Sequence, residues 1–277
     1  MRLSGPIFEK ISDPESWIVA VRRVGYEAAE LPLPVTADDT TVNAYLAAAA
    51  KADIVIGEVG AWQNNPIDPD PAKAKQAMLN CQVKLAWAER IGARCCVNVA
   101  GSRNREKWAG PHPGNFSRDT FDLIVQTTRE IVDAVRPKRT FYALETMPWI
   151  FPSSPDEYLA LIKAIDRPGF AVHLDPVNMI NCPERVYRTG DFIRECFAKL
   201  GPYIKSCHAK DIILRENLTL HLDECRPGTG VLDYGVFLRE LAKLDPDTVI
   251  ALEHLPEEEY PAAAQYLRDV QKQNNLN

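Results

Sequence analysis

The chain predicts a single α/β domain over residues 1–277, a closed (βα)8 TIM barrel. Three observations carry this expectation. Short apolar, β-rich runs recur along the 277 residues and alternate with amphipathic helical patterns. Most of those runs are continuously apolar, as expected of parallel strands covered on both faces. No linker or low-complexity segment divides the chain, and α/β barrels commonly fill this length as one domain. An open doubly wound nucleotide-binding sheet is disfavoured, because no G-x-G-x-x-G opens a helix after a strand.

The strands follow in order. A first runs near Arg2 to Ile7, interrupted by Gly5 and Pro6. The next are AAELPL (28–33), DIVIGEVG (53–60) and ARCCVNVA (93–100). After the last comes the long connection GSRNREKWAGPHPGNFS (101–117), then a helical stripe of Phe121, Ile124, Val125, Thr128, Ile131, Val132 and Val135. TFYALET (140–146) precedes SSPDE, whose cap residue, early proline and first-turn acids open a helix with Tyr158, Leu161, Ile162 and Ile165 on one face. FAVHLDP (170–176) and YIKSCHAKD (203–211) follow. The connection from Ile212 to Leu232 is too long for a plain turn, and its IILRENLTLHL segment suits a small hairpin. A stripe of Tyr234, Phe237, Leu238, Leu241 and Leu244 leads to the last strand, TVIALEH (248–254). Both long connections follow a strand and so belong to the C-terminal face, where barrel enzymes work.

Composition narrows the function classes. Hydrophobic residues make up 46% and charged residues 25%, which suits a globular chain with ample core. The net charge of −6 argues against a nucleic-acid surface, which needs a basic stripe. The seven cysteines form no CxxC pair and lie mostly inside apolar runs, as reduced thiols of a cytoplasmic protein do. No run of about 18 apolar residues suggests a membrane span, and the N-terminus lacks an apolar signal core.

Four residues stand near the ends of successive strands: Glu145, Asp175, His208 and Glu253, at intervals of 30, 33 and 45 residues. Taken singly, each has an ordinary explanation as a cap, an ion-pair partner or a core histidine. In a barrel, however, one βα unit per interval puts all four on one rim, pointing inward. Three carboxylates so close repel unless protonated or bound to a cation. A divalent metal resolves the conflict, and the oxygen-rich ligand set favours Mn²⁺ or Mg²⁺ over a structural zinc.

ALET, HLDP, CHAKD, RPGTGVLDY and ALEH carry a resemblance. Over nearly its whole length the chain resembles the xylose isomerase-like sugar phosphate isomerase/epimerase family, which includes ketose 3-epimerases, hydroxypyruvate isomerases and inosose dehydratases. The resemblance implies metal ligation by Glu145, Asp175, His208 and Glu253, with Mn²⁺ the leading candidate and Mg²⁺, Co²⁺ or Zn²⁺ as alternatives. It further implies acid and base roles for the catalytic pair Glu145 and Glu253, and a homodimeric or homotetrameric assembly. Many members carry a substrate-contacting histidine where this chain has Asn178. An asparagine can hydrogen-bond a hydroxyl but cannot carry a proton or charge.

The expected function is therefore a metal-dependent sugar isomerase or epimerase of carbohydrate metabolism. It would abstract a proton beside a metal-bound carbonyl through an enediolate. Elimination of a β-hydroxyl would make the same site a dehydratase or lyase of keto-sugars or inososes, and a non-enzymatic sugar-binding protein is the alternative of a different class. Further substrate-binding candidates are Asn178, Arg226 before the PGTG turn, Lys210 after His208, Glu58 and Trp62 at the third strand, and His112 in the long fourth loop. Each competes with an ordinary structural explanation. Asp211 is weighed as a residue that orients His208 or reaches substrate. His173 is expected deeper in the barrel as a core histidine, and His254 on the opposite side from Glu253, toward the helices. The partner is a small sugar or keto-sugar, with no nucleic acid or membrane.

Overall fold

A computed structural model describes residues 1–276. Its strands are β1 (Arg2–Ser4), β2 (Ala28–Ala29), β3 (Val55–Ile56), β4 (Glu58–Gly60), β5 (Cys95–Val99), β6 (Tyr142–Glu145), β7 (Phe170–Leu174), β8 (Ile204–Ala209), β9 (Asp211–Arg215), β10 (His221–Cys225) and β11 (Val249–Leu252). A parallel ladder runs β4-β5-β6-β7-β8-β11-β1, and β2 pairs with β3 in a second parallel ladder. Single backbone bonds close the ring. Glu27 N–H donates to Leu3 O at 2.9 Å, and Arg94 N–H donates to Ile56 O at 3.0 Å. β3 and β4 are two pieces of one barrel strand on either side of Gly57. The fold is the TIM barrel the sequence predicts.

The strands are shorter than their apolar runs. β2 covers only the first two residues of AAELPL, because Pro32 and Pro34 have no N–H to extend a ladder. β5, β6, β7 and β11 are buried throughout, as parallel strands covered on both faces are. Ser154 caps the helix Pro155–Ile165 by accepting from Glu157 N–H. On that helix, Tyr158 is fully buried, and its hydroxyl donates to Leu144 O at 2.5 Å and lies 3.0 Å from Ala171 O. The helix is thus pinned to the two strands that end at Glu145 and Asp175. Among the described residues, no helix is long and apolar enough to cross a membrane.

The expected hairpin is present as the antiparallel pair β9–β10. Asp211 anchors the return of the chain. Its carboxylate accepts from the backbone N–H of Ile212, Gly228, Gly230 and Leu232 at 2.8–3.1 Å. Burial nonetheless pushes its pKa up, ahead of the lowering effect of those amides. Two glycines make this possible. Gly228 sits at φ +90°, and a Cβ on Gly230 would stand 2.4 Å from Asp211 Oδ1. Asp211 is therefore not a partner of His208 or of substrate, because its oxygens are used by the loop.

Candidate functional site

Glu145 is the last residue of β6, Asp175 follows β7, His208 is the penultimate residue of β8, and Glu253 follows β11. Each offers a ligand atom, and the four atoms lie within 4.8 Å of one another. His208 Nδ1 is 3.0 Å from Glu145 Oε1 and 2.8 Å from Glu253 Oε1. Asp175 is fully buried, and its two oxygens have different surroundings. Oδ1 accepts from the N–H groups of Val177 and Asn178 at 3.0 and 3.2 Å, which leaves Oδ2 turned to the cluster.

Lys210 stands in the middle of this group. It is only 2% exposed, with Nζ 2.8 Å from Asp175 Oδ2, 2.5 Å from Glu253 Oε1, and 3.7 Å from both Glu145 and Glu224. Although close, these contacts lie off the hydrogen-bond axis, and Asp175 Oδ2 and Glu253 Oε1 remain buried without an aligned donor. Three carboxylates against one ammonium leave two negative charges when His208 is neutral. The donor set, the charge and the two unsatisfied oxygens fit a divalent cation held by Glu145, Asp175, His208 and Glu253.

The electrostatics show the strain of this arrangement. Burial pushes the Glu145 carboxyl up, against the lowering effect of His208. Burial also pushes Glu253 up, but His208 and Lys210 together outweigh it and hold the group well below the usual carboxylate range. Burial opposes charge on His208, yet Glu253 and Glu145 keep its pKa raised.

Two cavities reach the cluster. One, of 420 Å³, is walled by Trp62, Trp108 and Trp149 and receives Glu145, Lys210 and Glu253. The other, of 560 Å³, is lined by Glu30, Trp62, His208 and Glu253 among others. Asn178 lines the first, where its amide N–H₂ donates to Glu145 Oε1 at 3.1 Å and Thr146 O at 3.0 Å. It therefore steadies Glu145.

Glu58 is 7% exposed, packs against the His208 and His173 rings and lines the 560 Å³ cavity beside Trp62. Several expected positions differ. Arg226 faces Glu259 at 3.4 Å across a separate cavity. His112 is exposed and caps the turn Pro113–Phe116, with Nδ1 accepting from Gly114 N–H at 3.0 Å, and it lines neither cavity at the cluster. His254 does not face the helices. β11 ends at Leu252, so strand alternation no longer applies, and a backbone φ of +55° turns the ring to the rim, 3.3 Å from Glu224. His173 is the fully buried core histidine expected, 2.6 Å from Ser206 Oγ.

Glu30, Glu224, Trp108 and Trp149 were not singled out from the sequence. Glu30 carries a weaker signal than the other acids, because it interrupts its apolar run instead of ending it. The residue is exposed by area, but its carboxyl is set in the cavity among neighbouring side chains, where reduced solvation first and Glu58 second push it up to about 7. The unfolded chain ionises this group near 4.5, while the folded protein keeps the proton until about 7. Stability is expected to fall as pH rises through that window, to an extent reduced by water in the cavity. Glu30→Gln should lessen this decline in denaturant melts between pH 4 and 8, leaving the part owed to Glu145, Asp211 and His208, whose pKa values are also raised.

The family described as xylose isomerase-like TIM barrel matches residues 18–270. No curated protein matches the chain. Among solved structures, the probable 3-DHS dehydratase AsbF involved in petrobactin synthesis from Bacillus anthracis superposes with a TM-score of 0.72 at 17% identity, covering 97% of this chain and 98% of that one. D-psicose 3-epimerase with D-tagatose from Clostridium cellulolyticum H10 gives 0.71 at 18% identity over 100% of both chains. A xylose isomerase-like TIM barrel protein from Mycobacterium smegmatis in complex with magnesium gives 0.67 at 17%, covering 96% and 91%.

Proposed function

Since the chain belongs to the xylose isomerase-like TIM barrel family, we propose that it is a divalent-metal-dependent sugar isomerase or epimerase that moves a proton at a carbon beside a carbonyl. The observation that carries this reading is the convergence of Glu145, Asp175, His208 and Glu253 beside a cavity walled by tryptophans. A bound Mn²⁺ or Mg²⁺ supplies Lewis acidity to a carbonyl and its neighbouring hydroxyl.

The protein's own groups divide the remaining work by their access to the cavity. Asp175 is sealed, so it holds the cation and does nothing to substrate. Glu145 and Glu253 both open into the cavity, and they are the pair that removes and returns the proton. Return to the opposite face yields an epimer, and return to the adjacent carbon yields an aldose–ketose isomer. Lys210 Nζ, in the same wall, balances the charge of Glu145, Asp175 and Glu253. Asn178 keeps Glu145 in place, and its carbonyl oxygen accepts from a substrate hydroxyl. Trp62, with Trp108 and Trp149, packs on the C–H face of the sugar.

The basic groups of the cavity are Lys210, already set among four carboxylates, and His254, paired with Glu224. Neither is free for a phosphate, so the substrate is an unphosphorylated sugar or keto-sugar. A dehydratase reading shares the same proton abstraction followed by loss of a β-hydroxyl, and the like-folded probable 3-DHS dehydratase favours keeping it second.

Solvent-deuterium exchange over ketoses, 3-keto sugars, inososes and hydroxypyruvate, with added Mn²⁺, tests the proposal. Mn²⁺-dependent label at one carbon supports it, and label accompanied by loss of water moves it to the dehydratase. No label from any substrate, in a protein that binds no divalent ion, leaves a sugar-binding protein and overturns it.

A further inference from the structure

The His208 ring has two nitrogens with different neighbours. Nδ1 faces Glu145 and Glu253, whereas Nε2 lies 3.5 Å from Oε1 of the Glu58 carboxylate on β4. We propose that Glu58 is a positioning residue that accepts a hydrogen bond from Nε2–H of His208, which keeps the proton on that nitrogen and leaves Nδ1 free to bind the cation. The proposal rests on the metal-dependent reading above.

The surroundings of Glu58 support this role. The residue is 7% exposed, and its Oε2 is buried without a hydrogen-bond donor. That oxygen sits 3.5 Å from His173 Nδ1, but this nitrogen is engaged by Ser206 Oγ at 2.6 Å. Ser206 Oγ in turn lies 3.0 Å from Cys95 Sγ. Glu58, Cys95 and His173 are close enough to hold a second cation. Burial pushes the Cys95 thiol up, and with no cation beside it the thiol serves as a hydrogen-bonding group. The cluster is a polar shelf beneath His208, whose ring stands edge-on to His173 with centroids 4.1 Å apart.

A neutral imidazole carries one N–H, and a carboxylate beside one nitrogen draws the proton there. With the proton on Nε2, the lone pair of Nδ1 points at the two glutamates that share the metal. At 3.5 Å the Glu58 contact is longer than a good hydrogen bond. It is expected to shorten once Nδ1 is engaged.

The experiment uses the full chain with ¹⁵N-labelled histidine and the variants Glu58→Gln and Glu58→Met. Mn²⁺ affinity is read by calorimetry, the His208 tautomer by ¹⁵N shifts in the Mg²⁺-loaded protein, and folding by a metal-free thermal melt. Glutamine keeps an acceptor without the charge, so affinity should fall roughly 10-fold with the Nε2–H signature retained. Methionine keeps the bulk without an acceptor, so affinity should fall on the order of 100-fold and the signature should change. A folded methionine variant with parent-like affinity and an unchanged ¹⁵N pattern overturns the role of Glu58 and leaves the metal reading intact. Should that variant not fold, parent-like affinity in Glu58→Gln overturns it. If the parent binds no Mn²⁺, the metal reading itself fails, and the Glu58 role falls with it.

Discussion

Glu253→Gln is expected to slow proton exchange at the substrate carbon by about 10²- to 10⁴-fold at saturating Mn²⁺. Glutamine preserves the shape and one acceptor oxygen of Glu253 but cannot take a proton. Glu253 is the acid that lines both cavities, and its Oε1 sits against His208 Nδ1 and Lys210 Nζ at 2.8 and 2.5 Å. Its loss therefore removes a proton acceptor and weakens the metal site together. Elemental analysis of the variant separates the two effects, because the slowing should persist in protein that still contains metal. Glu145→Gln should act alike through the proton-returning step. Normal turnover in either variant with metal bound would remove these residues from the chemistry.

The second large effect is on stability. Lys210→Met is expected to cost about 3–5 kcal/mol in the metal-free protein, read from urea unfolding. The ammonium is 2% exposed and lies within 3.7 Å of Glu145, Asp175, Glu224 and Glu253. Removing it leaves those carboxylates facing one another with His208 as their remaining cation, in a place that water screens only in part. Added Mn²⁺ should restore a large part of the loss, because the ion supplies the missing positive charge. A variant as stable as the parent without metal would mean that the cluster does not need a buried cation.

These two expectations rest on residues with different visibility in the sequence. Glu253, like Glu145 and Asp175, shows itself as an acid closing an apolar run, whereas Glu30 stands in the middle of AAELPL, with Leu31 after it. Lys210 carries no such mark. A lysine two residues past a histidine reads equally well as a surface ion pair, and only the curvature of the barrel turns it inward among four acids. Trp108 and Trp149 lie in connections, whose paths have no period to follow, and Glu224 lies on β10 of the inserted hairpin, whose placement over the mouth its own sequence does not set. Trp108 and Trp149 meet Trp62 only because the loops after β5 and β6 fold over the same mouth.

Glu58 and His254 show where strand alternation stops being a guide. Glu58 does point inward from its strand to the cavity, but the two histidine rings that it also meets, His208 and His173, come from strands remote in the chain. His254 lies beyond the end of its strand, where one left-handed backbone angle decides its direction. Arg226 and His112 were visible as functional residue types, yet their partners, Glu259 and Gly114, are set by loop conformation.

By itself, then, the amino-acid order determined the barrel and the rim positions of its strand-end acids, because both follow from short-range periodicity that burial enforces along each strand. Only the tertiary structure decided which side chains share a cavity, which oxygens remain unsatisfied and which cation stands among them. Those properties depend on distances between residues that are remote in the chain, and closure of the ring sets them.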